Sequence, residues 1–237
     1  MGFDLPRGRL FPVSGVDVSL ANEPLPFERE HEAAIARHWE KEIAANPALW
    51  DGRIAMLSSL AYRDGRLVGR CHVARYSTFL YWRSQIGEKA AEHYFAYAVL
   101  VSSDGALIAA RMGDHTLNAG RIYFAAGSFE PEDFRNGQVD LHGNMVREVR
   151  EETGIDLSEA KAAPDYLAFS APSGTALFRR YDLAEDADTL AAKISAFIAS
   201  ESEPELAEPV IIRSAANLPE ELTPHMRAIV DWHFGLA

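Results

Sequence analysis

Arg147-Glu148-Val149-Arg150-Glu151-Glu152-Thr153-Gly154-Ile155 is the stretch of this 237-residue sequence that decides its fold. On a helix, which turns by about 100° per residue, the carboxylates of Glu148, Glu151 and Glu152 fall on one arc of about 100°. Val149 falls on a different arc, which suits packing against a sheet. The stretch therefore predicts a helix with one packing face and one acidic face.

Residues at both ends mark where this helix begins and ends. Asp140 is a good N-cap, and Gly154 is a good residue for the position just after the last turn. Within the helix, Arg147 and Glu151 are four residues apart and can form an ion pair. We expect the helix to run from near Asp140 to Gly154.

The acidic face has two interpretations. Glutamate forms helices well, and acidic helix residues commonly face water. Against that interpretation, like charges four residues apart repel by a few tenths of a kcal/mol. A divalent cation would reverse this cost, because Mg²⁺ and Mn²⁺ prefer hard oxygen ligands.

The nine residues from Arg147 to Ile155 resemble, position by position, the second half of the signature of the Nudix hydrolases. The first half departs from that signature. Counting back from Arg147, the usual glutamate position holds Val139 and the usual glycine position holds Asp133. Gly127 is a glycine with the right setting further upstream, which indicates an insertion within residues 131–138.

The departure leaves open which residue stands in for the missing glutamate. Asp140 and Glu130 are the two candidates. The inserted residues are expected to lengthen the loop between a strand and the acidic helix.

The resemblance implies a metal site on the acidic helix. Glu148, Glu151 and Glu152 would bind Mg²⁺, with Mn²⁺ as an alternative, and the backbone carbonyl of Ala126 or Gly127 would add a ligand. We assign the metal-binding residues in one set: Glu148, Glu151, Glu152 and Ala126.

The resemblance also implies catalytic roles. Arg147 would orient the carboxylates without being a ligand. The general base would be Glu148 or a glutamate of the acidic segment 201–208, with Glu205 as first choice and Glu208 as second. The competing interpretation of that segment is an acidic loop in water.

Three residues are predicted to bind substrate: Arg111, Arg75 and Gly127. Arg111 ends a predicted strand where many Nudix proteins carry a basic residue that contacts phosphate, and an edge-strand arginine is the alternative. Arg75, among neighbouring tyrosines, could hold a phosphate beside a stacked base or be the wet face of a hairpin. Gly127 also suits any tight turn.

Composition limits the partners. The formal net charge of −12 disfavours nucleic acid and anionic membranes, because non-specific binding to both depends on basic patches. No apolar stretch approaches a membrane span, and the first residues do not resemble a signal peptide. The single cysteine, Cys71, rules out an intrachain disulfide. We therefore expect a cytoplasmic enzyme with a small anionic nucleotide-type substrate.

Periodicity predicts the order of elements before the acidic helix. Residues up to about 25, punctuated by prolines, are expected to be irregular, and a helix follows over 27–45. Two strands over 54–62 and 67–76 form a hairpin across Asp64-Gly65. Strands are then expected over 94–101, 106–112 and 122–126.

The elements after the acidic helix are predicted in the same way. We expect strands over 166–170, 175–183 and 210–213, a helix around residues 190–198, and a last helix over 219–234. The resulting fold class is α/β: a Nudix α/β/α sandwich with a mixed sheet over residues 89–237, and an annex of one helix and one hairpin over residues 1–88. An N-terminal hairpin could also pair across a two-fold axis in a homodimer.

The resemblance implies metal-assisted hydrolysis of a diphosphate linkage in a nucleoside diphosphate derivative. A fainter similarity, Asn46-Pro47 followed by Asp51-Gly52, favours nucleotide sugars. The alternative is a non-catalytic Nudix regulator that binds a nucleotide ligand. An isomerase acting on an allylic diphosphate would need a cysteine near the substrate, and Cys71 lies far from the motif in sequence.

Overall fold

The computed structural model describes residues 2–85, 90–216 and 218–236. The chain divides into two compact units that alternate along the sequence. The predicted boundary between residues 88 and 89 lies outside the described residues. The first unit comprises Met1–Phe95, Ser128–Leu141 and Ala168–Ala176, and the second comprises Ala96–Gly127, His142–Leu167 and Leu177–Ala237.

Fourteen strands are formed by the described residues. They are β1 (Phe3–Asp4), β2 (Leu10–Val13), β3 (Gly15–Ala21), β4 (Arg53–Arg63), β5 (Arg66–Arg75), β6 (Glu92–Val101), β7 (Leu107–Met112), β8 (Ile122–Tyr123), β9 (Phe134–Arg135), β10 (Gln138–Val139), β11 (Lys161–Ala162), β12 (Tyr166–Ala171), β13 (Gly174–Asp182) and β14 (Leu206–Ile212).

Six α-helices accompany the strands in the described ranges. They are α1 (Pro26–Glu30), α2 (Glu32–Ala45), α3 (Tyr76–Ser84), α4 (Leu141–Thr153), α5 (Ala187–Ser200) and α6 (Pro224–His233).

The first unit is built on the hairpin of β4 and β5. Asp64 and Gly65 both have positive φ, 47° and 79°, as a two-residue hairpin turn requires. β3 pairs with β5 in parallel and β1 pairs with β4 in parallel, whereas β4 and β5 are antiparallel. The predicted fold class, α/β with a mixed sheet, is confirmed.

Helices α1, α2 and α3 bring apolar side chains to this unit. The predicted helix over 27–45 is present, but it is interrupted at His31, where α1 ends and α2 begins. The buried cluster contains Leu25, Phe27, Ile54, Met56, Ala74, Phe79, Leu80, Trp82 and Ala91.

Several predicted boundaries were wrong. The region before residue 25 is not irregular, because β3 gains its hydrogen bonds from β5, which is about 50 residues away in sequence. Residues 76–84 form helix α3, whose Phe79 and Trp82 are buried. The strand predicted over 122–126 ends at Tyr123, and α6 begins at Pro224, five residues later than predicted.

Residues 131–138, where an insertion was expected, form a short 3-10 helix and then a β-hairpin. β9 and β10 pair across Asn136-Gly137, whose φ values are 52° and 76°. β10 in turn pairs with β3 through Gln138 and Ser19. The extra residues therefore have backbone partners of their own and add a hairpin to the first unit.

Strand β7 organises the second unit. It pairs in antiparallel fashion with the end of β6, with β8 and with β14. Helix α5 packs on β14 and β7. Helix α4 buries Met145 and Val149, which are four residues apart, and Gly154 follows its last turn with φ 70°.

None of the helices in the described residues combines the length and the apolar character that a membrane crossing needs.

Candidate active site

The carboxylates of helix α4 differ in exposure. Glu148 is buried, with 8% of its surface exposed, whereas the side chain of Glu151 is 59% exposed. Glu152 is intermediate. The helix thus carries one carboxylate into the unit and leaves another at the surface, as the i, i+3, i+4 spacing allows.

The absence of a side chain at Gly127 leaves room for the carboxylate of Glu148. A Cβ atom added to Gly127 would overlap the carboxylate carbon and both carboxylate oxygens of Glu148. The φ of Gly127 is not positive, so close approach and not backbone conformation requires the glycine here. This contact joins the loop after β8 to helix α4, and the substrate-binding role of Gly127 stays a prediction.

Arg147 holds two of the carboxylates. Its Nη2 lies 2.7 Å from Oε1 of Glu148, and its Nη1 donates to Oε2 of Glu151 at 3.0 Å. The arginine side chain is about one third exposed. The orienting role that the resemblance implies for Arg147 stays a prediction.

Asn144 also contacts Glu148, and the sequence analysis did not identify it. Its side chain is fully buried, and Nδ2 donates to Oε1 of Glu148 at 3.4 Å. The sequence contained a signal for it, because an amide four residues before a buried glutamate lies on the same face of the helix.

Glu152 lacks a full set of partners. Its Oε1 accepts a hydrogen bond from the backbone N–H of Ala126 at 3.3 Å. Its Oε2 is buried and has no hydrogen-bond partner among the described residues. Burial, followed by the negative charges of Glu148, Glu205 and Glu151, raises the pKa of Glu152 well above its ordinary value. Negative charge is therefore concentrated here without compensation at Glu152.

Glu205 belongs to this group of carboxylates. It immediately precedes β14 and is exposed, and its backbone carbonyl accepts a hydrogen bond from Gly113 at 2.8 Å. Its charge contributes to the raised pKa of Glu152. Glu208 instead forms a salt bridge with Arg111 at 2.9 Å. The charge of the first-choice glutamate of the acidic segment thus acts on Glu152, whereas the second is paired with Arg111, and a catalytic role for either stays a prediction.

The two predicted phosphate-binding arginines have carboxylate partners. Arg111 contacts Glu208 and, at 3.2 Å, Glu221. Arg75 belongs to the first unit and contacts Glu28 at 3.0 Å. Their substrate-binding roles stay predictions.

The candidates for the missing glutamate, Asp140 and Glu130, both lie in the first unit. Asp140 contacts Nε of Arg135 at 2.6 Å. Glu130 takes part in a capping box with Asp133 at the start of the short 3-10 helix. Both have local structural partners, and a role for either at the acidic helix stays a prediction.

Tyr97 and His225, in the second unit, form a contact that the sequence did not predict. The hydroxyl of Tyr97 lies 3.1 Å from Nε2 of His225, which is 2.9 Å from the hydroxyl of Thr223. Burial, then Tyr123 and Glu152, raise the pKa of Tyr97. Burial lowers the pKa of His225 to about 4, so this imidazole is neutral at pH 7.

The oxygen ligands of this site fit a hard divalent cation. Within residues 2–85, 90–216 and 218–236, no three His, Cys, Asp or Glu side chains are arranged as a ready metal site. Arg147 forms ion pairs with Glu148 and Glu151, and the buried Oε2 of Glu152 has no hydrogen-bond partner among the described residues. Oxygen donors with excess negative charge are what Mg²⁺ and Mn²⁺ bind. The residues present therefore fit the metal that the resemblance implies.

Comparisons with known proteins give similarity in structure only. No protein-family model matches the sequence, and no curated protein matches it. In structure, the chain is similar to Nudix proteins from several organisms. A MutT protein from Methanosarcina mazei Go1 is 18% identical, over 60% of this chain and 91% of the other, with a TM-score of 0.41.

Two further structures are similar at comparable levels. RenU, a Nudix hydrolase from M. smegmatis, is 17% identical over 60% of this chain and 81% of its own, with a TM-score of 0.39. The Nudix domain of Shewanella oneidensis NrtR, solved with ADP ribose, is 9% identical over 51% and 72%, with a TM-score of 0.32. At such identities and TM-scores, any function must be argued from the motif and from the geometry around Gly127.

Proposed function

We propose that this protein is a Nudix hydrolase that uses a divalent metal ion to cleave a diphosphate linkage. One observation carries the proposal: Glu148 lies against Gly127 while the neighbouring Glu152 keeps a buried oxygen without a hydrogen bond. A helix that only faced water would not bury the Glu148 carboxylate and Oε2 of Glu152 together, because buried charge is costly. A bound cation would neutralise them.

The proposed ligands are Glu148, Glu151 and Glu152, with the backbone carbonyl of Ala126. When bound, Mg²⁺ or Mn²⁺ supplies Lewis acidity and neutralises phosphate charge. Arg147 keeps Glu148 and Glu151 in place through its two ion pairs.

Glu205 is the proposed general base. Its exposed carboxylate can take a proton from the water that attacks phosphorus, while the bridging P–O bond breaks and the leaving phosphate keeps the electron pair. Its charge contributes to the raised pKa of Glu152, which supports this assignment.

The proposed substrate is a nucleoside diphosphate linked to a second group, with nucleotide sugars as the first class to test. Arg111 and Gly127, both in the second unit, are the proposed contacts to its phosphates, and the role of Arg75, in the first unit, stays a prediction. Arg111 would exchange a carboxylate partner for phosphate, which is a reasonable exchange because guanidinium binds both in the same geometry. The net charge of −12 favours a small substrate over a nucleic acid or an anionic membrane.

The test is a panel of nucleoside diphosphate derivatives assayed with Mg²⁺, with Mn²⁺ and with a chelator. We expect metal-dependent release of a nucleoside or sugar phosphate, reduced on the order of a hundredfold or more by Glu152→Gln. Glu159→Gln, at an exposed position in the loop after α4, is the matched control and should keep full activity.

Two results would overturn the proposal. Turnover that persists in Glu152→Gln would remove the metal assignment. Tight binding of a nucleotide ligand with no turnover in either metal would favour the regulator instead.

A further inference from the structure

Asn144 contacts the Glu148 carboxylate from within α4, as Arg147 does. It is fully buried, unlike the partly exposed Arg147, and it lies one helical turn before Glu148. Asparagine is a poor helix former, since its side chain competes for backbone hydrogen bonds. Its presence inside α4 therefore calls for a reason beyond helix formation.

We propose that Asn144 is a positioning residue for Glu148, whose carboxylate it holds against Gly127 through its buried side-chain amide. The inference rests on the proposed function only in taking Glu148 to be a metal ligand. It adds a residue that the motif does not contain.

Arg147 and Asn144 contact Glu148 from different surroundings. Arg147 and Asn144 both address Oε1, at 2.7 Å and 3.4 Å. The Arg147 guanidinium is shared with Glu151 and is partly in water, so solvent screens its pull. The amide of Asn144 is fully buried, so its hydrogen bond to Glu148 is shielded from water.

The neutral charge of Asn144 matters as well. An aspartate here would place another negative charge four residues from Glu148, which is unfavourable. A leucine of similar size would remove the amide donor that contacts Oε1 of Glu148. An amide is thus the side chain that directs Glu148 without adding to the acidic charge or competing for a cation.

Partners that orient metal ligands typically affect metal affinity when removed. We expect Asn144→Leu to weaken Mn²⁺ binding, measured by paramagnetic resonance of free Mn²⁺, by about tenfold. Asn144→Asp should weaken catalysis without restoring the position of Glu148. The matched control is Met145→Ala, which also disturbs the buried face of α4, where the sulfur of Met145 accepts a hydrogen bond from the Tyr181 hydroxyl.

A merely structural role predicts a different outcome. In that case Asn144→Leu and Met145→Ala, compared at equal losses of thermal stability, would bind Mn²⁺ as tightly as wild type, and the inference would be overturned.

A metal-free crystal structure of Asn144→Leu decides the inference even if the protein binds no Mn²⁺. We expect the Glu148 carboxylate to leave Gly127 in this variant and to remain there in Met145→Ala. A carboxylate that stays in place in Asn144→Leu contradicts the inference. Absence of Mn²⁺ binding in the wild type would count against the proposed function alone.

Discussion

Two carboxylates that are largely removed from water, Glu92 in the first unit and Glu152 in the second, have opposite surroundings. Glu92 forms an ion pair with Arg7 and accepts a hydrogen bond from the hydroxyl of Thr175. Glu152 accepts one backbone hydrogen bond and has three other carboxylates acting on it. Side chains of the protein neutralise the charge of Glu92, whereas the charge of Glu152 is left for a bound group to neutralise.

The difference distinguishes a carboxylate with a structural role from one with a functional role. A buried charge with partners holds elements together, and Arg7 also donates to Ser170 at 2.6 Å, which ties the N-terminal segment to β12 within the first unit. A buried charge without partners costs stability, and such a cost is retained at sites where a ligand repays it.

The largest expected effect is that of Gly127→Ala. The new Cβ would displace the Glu148 carboxylate, and we expect activity to fall on the order of a hundredfold with little change in stability. The measurement is kcat/KM in saturating Mg²⁺. In a Glu148→Gln background, the same substitution should cost much less, because the two changes disturb one contact. Additive effects would show that the contact is unimportant.

An intermediate effect is expected for Arg7→Met, which removes the partner of Glu92. Because the Arg7 side chain is 38% exposed, solvent reduces the penalty, and we expect a loss of about 1 to 2 kcal/mol in the free energy of unfolding. Urea titration measures it. The stability of Arg7→Met should depend on Mg²⁺ as that of wild type does. A destabilisation seen only in the Mg²⁺-bound protein would contradict the contrast between Glu92 and Glu152.

The effect that is smallest at pH 7 concerns a histidine in each unit. Burial, with a contribution from Arg83, lowers the pKa of His93 to about 3, and burial lowers that of His225 to about 4. The unfolded chain binds these protons near pH 6.5 while the folded chain does not, so stability should fall as pH drops from about 6.5 toward 4. His225→Phe should reduce that slope in urea titrations between these pH values. An unchanged slope in this variant and in His93→Phe would contradict the burial argument.

Local patterns were sufficient to predict much of the fold. The hairpin across Asp64-Gly65 and the helix ended by Gly154 follow from turn chemistry and periodicity, and both are present. The parallel pairing of β3 with β5 was not predicted, because its partner residues are far apart in sequence and a proline-rich start hides the strand. Helix α3 was missed because its aromatic residues also suit a hairpin.

The site was partly predictable for the same reason. The spacing of Glu148, Glu151 and Glu152 on one helix is a local property, and so is the pairing of Arg147 with Glu151. Contacts that depend on tertiary structure could not be predicted from local sequence patterns. The burial of Asn144 and the proximity of Tyr97 to His225 appear only when strands and helices pack.

The central claim is that a divalent cation neutralises the carboxylates around Glu152, and thermal unfolding with and without Mg²⁺ tests it most directly. At a Mg²⁺ concentration of about 100 times the dissociation constant, we expect the Tm of wild type to rise by about 5 to 10 °C. Metal-free Glu152→Gln should be at least as stable as metal-free wild type and should gain much less from Mg²⁺. A wild-type Tm that does not respond to Mg²⁺, or that responds equally in Glu152→Gln, would contradict the account.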